Sequence, residues 1–185
     1  KGDESQYEGK ISIESLPPPA EWTSAKEPPY MYWMYYIHEN IQQLNKLRYR
    51  LNMNTFDFKP HCGETGDPLH NAAAFLTADA ISHGLTLDHQ KPLQYLFILA
   101  QIGISCCPIY DKFLYDVLAH PFYKLFKRGM LITLATESPM HTHTTREPLV
   151  EEYASAIKVF KLTSVDIAEV ARNSLNISSF SETLK

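Results

Sequence analysis

Three short stretches of this chain put imidazoles and carboxylates where proton transfer or metal binding could use them: His61-Cys62-Gly63-Glu64, Ser82-His83-Gly84 and Thr136-Glu137-Ser138-Pro139. Each follows a short apolar run that reads as a β-strand. A lone histidine at a strand end is more often a hydrogen-bonded structural residue than a ligand, but polar groups at three strand ends form a stronger pattern. If the strands run parallel in a βα barrel, their carboxyl ends share one face and these distant residues converge there. Other groups carry less. Cys106 and Cys107 suggest a reactive or metal-binding pair, yet neighbours on a strand point to opposite faces, so small buried fillers are expected. His141-Thr142-His143 reads as an exposed loop pair, and Glu151, Glu152 and Lys158 as the solvated face of a helix.

The elements that must position these residues follow from periodicity and punctuation. Strands are expected near Thr55–Pro60, Ala80–Ser82, Gly103–Cys107 and Met130–Ala135. Helices are expected near Leu69–Ala78, Pro92–Gln101, Phe113–Lys127, Pro148–Phe160 and Ser164–Asn173. Pro92 and Pro148 suit first-turn positions, Ser164 with Asp166 suits a capped start, and Gly103 and Gly129 sit where a helix must stop. Alternation of strand and helix at this pitch implies parallel βα units with outer helices. Only about half of the eight units that close a barrel of roughly 250 residues are present. Half a barrel has open edges, so the rest of it is expected from an upstream segment, another chain or other protein subunits. Ahead of these units, residues 1–27 read as an extended, proline-containing arm and residues 28–185 as the partial barrel domain. That domain opens with a core-packing helix from Tyr30 to about Asn52, marked by Tyr32, Tyr35, Tyr36, Ile41 and Leu44.

Composition narrows the function classes. With 185 residues, 44% of them hydrophobic, the chain can bury the core of one ordinary domain. Its 17 basic and 21 acidic residues give a net charge of −4, which argues against a nucleic-acid partner. No apolar run approaches the roughly 20 residues of a membrane span, and the polar start has no signal-peptide core. The three cysteines are an odd number and include an adjacent pair, so a reducing compartment is expected, cytoplasmic or an organelle matrix.

From about Glu14 to Phe180 the chain resembles the C-terminal half of AMP deaminase, in the adenosine and AMP deaminase branch of the metal-dependent hydrolases. The likeness is carried, in family order, by Pro28-Pro29-Tyr30, Lys59-Pro60-His61-Cys62-Gly63-Glu64, Ile81-Ser82-His83-Gly84-Leu85, Leu93-Gln94-Tyr95-Leu96 and Leu99-Ala100-Gln101-Ile102-Gly103-Ile104. It continues through Glu147-Pro148-Leu149, Glu151-Glu152-Tyr153 and Ala171-Arg172-Asn173-Ser174. The resemblance implies an α/β fold, the C-terminal half of a (β/α)₈ barrel, and zinc-dependent hydrolytic deamination of AMP to IMP.

It also implies roles. His61 matches the metal-binding histidine of the fifth barrel strand. Glu64 matches the acid that protonates the purine ring nitrogen, and His83 the histidine beside the metal-bound water. Glu137 and Ser138 stand where the family carries two aspartates, one ligating zinc and one binding the purine. Ile109-Tyr110-Asp111-Lys112 replaces a Ser-Asn-Asn loop near the substrate. No His-x-His pair of the kind the family's first strand provides precedes His61. These departures point to a non-catalytic structural or assembly subunit with zinc absent or weakly held, and with AMP or IMP as possible ligands. The alternative is one part of an active AMP deaminase whose N-terminal half lies elsewhere.

Overall fold

A computed structural model describes residues 15–181 and 183–185. Of the described residues, those up to Thr55 belong to one compact unit and those from Phe56 onward to a second. In the first, Pro19–Glu21 forms a single 3₁₀ turn and α1 spans Tyr30–Arg50. The Tyr32 ring lies 5.3 Å from Trp22 and its hydroxyl donates to the Pro17 carbonyl at 2.7 Å, which ties part of the proline-containing arm to the helix. The remaining fourteen arm positions lie outside the described residues. α1 is less buried than its pattern predicts: Tyr32 and Met34 are buried, whereas Tyr35 and Leu44 are each 43% exposed.

The second unit is built on four parallel strands paired in chain order: β1 (His61–Cys62), β2 (Ala80–His83), β3 (Gly103–Cys106) and β4 (Ile132–Leu134). Register aligns His61 with Ser82, Ser82 with Ser105, and Ser105 with Thr133. The next row, Cys62, His83, Cys106 and Leu134, is buried throughout. Between the strands lie α2 (Leu69–Thr77), α3 (Lys91–Ala100), α4 (Pro108–Asp111) and α5 (Phe122–Lys127). After β4 come the short α6 (Pro139–Thr142), then α7 (Pro148–Phe160) and α8 (Ser164–Ile177). The parallel α/β architecture with outer helices is the one expected.

Local chemistry accounts for the differences. The expected first strand at 55–60 is displaced to His61–Cys62. Pro60 has no amide to give a ladder, and the Phe58 amide is taken by the Asp79 carboxylate at 2.7 Å. The single helix expected over Phe113–Lys127 is broken. Asp116 accepts from the Leu118 amide and caps a 3₁₀ turn at Val117–Ala119, and Pro121 forces His120 into an extended conformation. The stop of α3 is made by Gln101 at φ 54°, not by Gly103, which is instead needed because a Cβ there would collide with Ile177 of α8. The cap of α8 closes from Thr163, whose hydroxyl and amide exchange bonds with Asp166, rather than from Ser164. Thr133 donates to the Val170 carbonyl at 3.2 Å and Asn173 to the Ile132 carbonyl at 2.9 Å, holding α8 against β4.

Candidate active site

The strand ends bring His61, His83 and Glu137 together, with one donor atom from each lying within 4.8 Å of the others. The His61 Nδ1 and His83 Nε2 atoms are 3.2 Å apart. Two nitrogens bound at about 2.05 Å on a tetrahedral zinc ion would be about 3.3 Å apart, so the spacing suits that metal. Two imidazoles and a carboxylate are also a donor set that catalytic zinc uses. By the chemistry of its donors and the spacing of its two imidazoles, the cluster fits zinc.

The backbone that delivers these groups is unusual. His83 has φ 74° and the following Gly84 has φ 62°, while Ser138 has φ 46°. A non-glycine residue in this region costs about 1–3 kcal/mol, and such conformations concentrate at sites of function. Gly63, between His61 and Glu64, has φ 67°, and a Cβ on it would lie 2.9 Å from the Thr86 hydroxyl and against Asn71. Asn71 is buried and bonds Thr86 and Gln90, bracing the loops after β1 and β2.

Behind His83 lies a buried polar chain. Its Nδ1 is 3.0 Å from Asp111 Oδ1, and Asp111 Oδ2 is 3.0 Å from His120 Nε2. Burial alone would favour neutral imidazole, but the bond to Asp111 and the charges of Asp111, Glu64 and Glu137 outweigh it and raise the His83 pKa. For Asp111, burial works upward, but the bonds from His120 and His83 prevail and hold the carboxyl below its usual range. The Tyr110 ring lies 5.9 Å from that of His83, tilted by 45°. Its phenol is pushed up first by the Glu64 charge, then by burial and by Glu137 and Asp111. The Glu64 charge thus acts on both His83 and Tyr110.

Several other residues behave differently from expectation. Ser138 is exposed, and its carbonyl accepts from the His141 amide at 2.8 Å. Glu152 is not on a solvated face: it is 0% exposed, accepts the Ile109 amide at 3.2 Å and lies 3.2 Å from His143 Nε2. Successive helical residues are about 100° apart, so Glu151 bonds the exposed Thr144 and Thr145 turn while Glu152 points inward. His143 is not part of an exposed pair either, since its side chain is wholly buried, although His141 is exposed. Cys106 and Cys107 are both buried, and burial, followed by nearby carboxylates, raises both thiols far above their ordinary range. Neither is a reactive thiol.

The family model for AMP deaminase matches residues 1–185. This chain belongs to the AMP deaminase family. It is 48% identical to human AMP deaminase 1 over 174 residues, covering 94% of this chain and 23% of that protein. The chain therefore spans about a quarter of the relatives' length. Among solved structures, adenine deaminase from Arthrobacter aurescens superposes with a TM-score of 0.68 at 16% identity, over 84% of this chain and 45% of that one. A zinc-bound amidohydrolase from Burkhoderia ambifaria gives 0.62 at 18% identity, over 89% and 43%. These matches establish the fold as part of a deaminase-type TIM barrel.

His120 is absent from the residues that the sequence pattern singles out, and Asp111 figures there only within the loop that departs from the family, with no role of its own. With Phe113–Lys127 read as one helix, His120 falls in mid-helix and Asp111 in a loop. Pro121 is the signal that could have exposed the break.

Proposed function

We propose that this chain forms the carboxyl-terminal half of the barrel of an AMP deaminase, and that the completed barrel hydrolyses the 6-amino group of AMP, giving IMP and ammonia. The observation that carries the reading is the convergence of one donor atom each from His61, His83 and Glu137 within 4.8 Å, with the two imidazole nitrogens at a separation zinc spans. Zinc would be held there by His61 and Glu137, with His83 as third donor or immediate neighbour, and when bound supplies Lewis acidity toward the attacking water. Glu64, whose charge acts on His83, is the carboxylic acid that would deliver a proton to a purine ring nitrogen. The buried Asp111 and His120 keep the His83 ring from rotating. The other half of the barrel, on the same polypeptide or another subunit, supplies the remaining ligands and covers the open strand edges. No described helix is long and apolar enough to cross a membrane, and three buried free thiols suit a reducing compartment.

One feature favours a second reading, a non-catalytic subunit that holds AMP or IMP or organises an assembly. Where the purine-binding aspartate is expected by resemblance, Ser138 is exposed and uncharged. Zinc analysis and ammonia release from AMP, measured on the full-length protein, separate the two. Stoichiometric zinc with turnover supports the enzyme; nucleotide binding without turnover supports the second reading.

A further inference from the structure

The break at His120-Pro121-Phe122 has a chemical result. The Phe122 amide lies 3.1 Å from His120 Nδ1, and an amide nitrogen can only donate, so this ring nitrogen is the acceptor. The ring proton of a neutral His120 must therefore be on Nε2, from which it is donated to Asp111 Oδ2. Asp111 is fully buried and its other oxygen faces His83 Nδ1, so a second proton is placed there. The remaining His83 nitrogen, Nε2, is left with its lone pair toward His61.

We propose that Phe122, His120 and Asp111 form a tautomer lock, in which the Phe122 amide puts the His120 proton on Nε2 and the acceptor-only Asp111 carboxylate, held between the two rings, puts the His83 proton on Nδ1, so that His83 offers an unprotonated Nε2 to the site. Asp111 and His120 are positioning residues. The inference rests on the reading of the cluster given above and deepens it: His83 needs Nε2 free whether it ligates metal or accepts a proton. It also gives the broken helix a purpose. Pro121 has φ −71° and ψ −11°, and it turns the chain so that the Phe122 amide comes back onto the His120 ring.

Asparagine at position 111 tests the lock because it has one accepting end. His120 Nε2–H must still be met by the amide oxygen, so the amide NH₂ faces His83 Nδ1, and the His83 proton must move to Nε2. The experiment uses the intact protein with ¹⁵N-labelled histidines after chelator treatment, with signals assigned by their loss in His83→Gln and His120→Gln. In the wild type, His83 should give the Nδ1–H pattern and His120 the Nε2–H pattern. In Asp111→Asn, His83 should switch to Nε2–H while His120 stays unchanged. Zinc affinity should fall by about 10–100-fold in the same variant. A wild-type His83 protonated on Nε2, or a wild-type His120 protonated on Nδ1, overturns the lock without any variant having to fold. An Asp111→Asn protein with unchanged tautomers also overturns it. Expected tautomers in a protein that binds no zinc would uphold the lock and overturn the metal reading instead.

Discussion

Replacing Glu152 by glutamine should stabilise the protein at neutral pH. The Thr142 hydroxyl donates to the Glu137 carbonyl at 2.9 Å, so its oxygen accepts from His143 Nδ1 at 2.8 Å. A neutral His143 then turns its Nε2 lone pair toward Glu152 Oε1 at 3.2 Å, and a protonated Glu152 donates to it. Its pKa agrees. Burial, against the pull of the Ile109 amide and with help from the Asp111 and Glu151 charges, raises the carboxyl from 4.5 to about 8. Between those values the folded protein holds a proton that the unfolded chain has released, so stability falls as pH rises through that interval. From 4.5 to pH 7, at about 1.36 kcal/mol per pH unit, the penalty reaches about 3 kcal/mol. Glutamine can give an N–H to His143 and accept from Ile109, and it has no proton to lose. Urea denaturation of both proteins across pH 4 to 8 should show equal stability at the acid end and Glu152→Gln ahead by about 3 kcal/mol at pH 7. Parallel curves with the variant less stable at every pH would refute the protonated donor.

Gly63→Ala should cost more than 1 kcal/mol, since the residue needs φ 67° and its Cβ would press on Thr86 and Asn71; the same denaturation assay reads it, and zinc affinity should fall with it. Cys106 and Cys107 should resist a thiol reagent at pH 8 in the folded protein and react fully in denaturant, because burial keeps both thiols protonated. In the full-length protein, Glu137→Asp combined with Ser138→Asp should raise AMP turnover by about 100-fold, as a 1 Å correction of ligand position can. Ordinary activity that the double change lowers would show that Glu137 and Ser138 are adaptations.

Much of the architecture is local and therefore readable in the sequence. The strands β2, β3 and β4 and the helices from Leu69, Lys91, Pro148 and Ser164 follow apolar periodicity and punctuation carried within a dozen residues. His61, His83 and Glu137 are visible for the same reason: each stands at or just beyond a strand end, and parallel strands bring such ends to one face. Only tertiary structure decided what stands behind them. Asp111 meets His83 across 28 residues, and Glu152 meets Ile109 across 43, and neither separation has a period. Whether a charged side chain lies in water or inside depends on packing that short-range pattern does not carry, which is why Glu152 and His143 read as solvated and are buried. A proton's place on an imidazole depends on partners that only the folded chain assembles, so the tautomer of His83 could be read only from the structure.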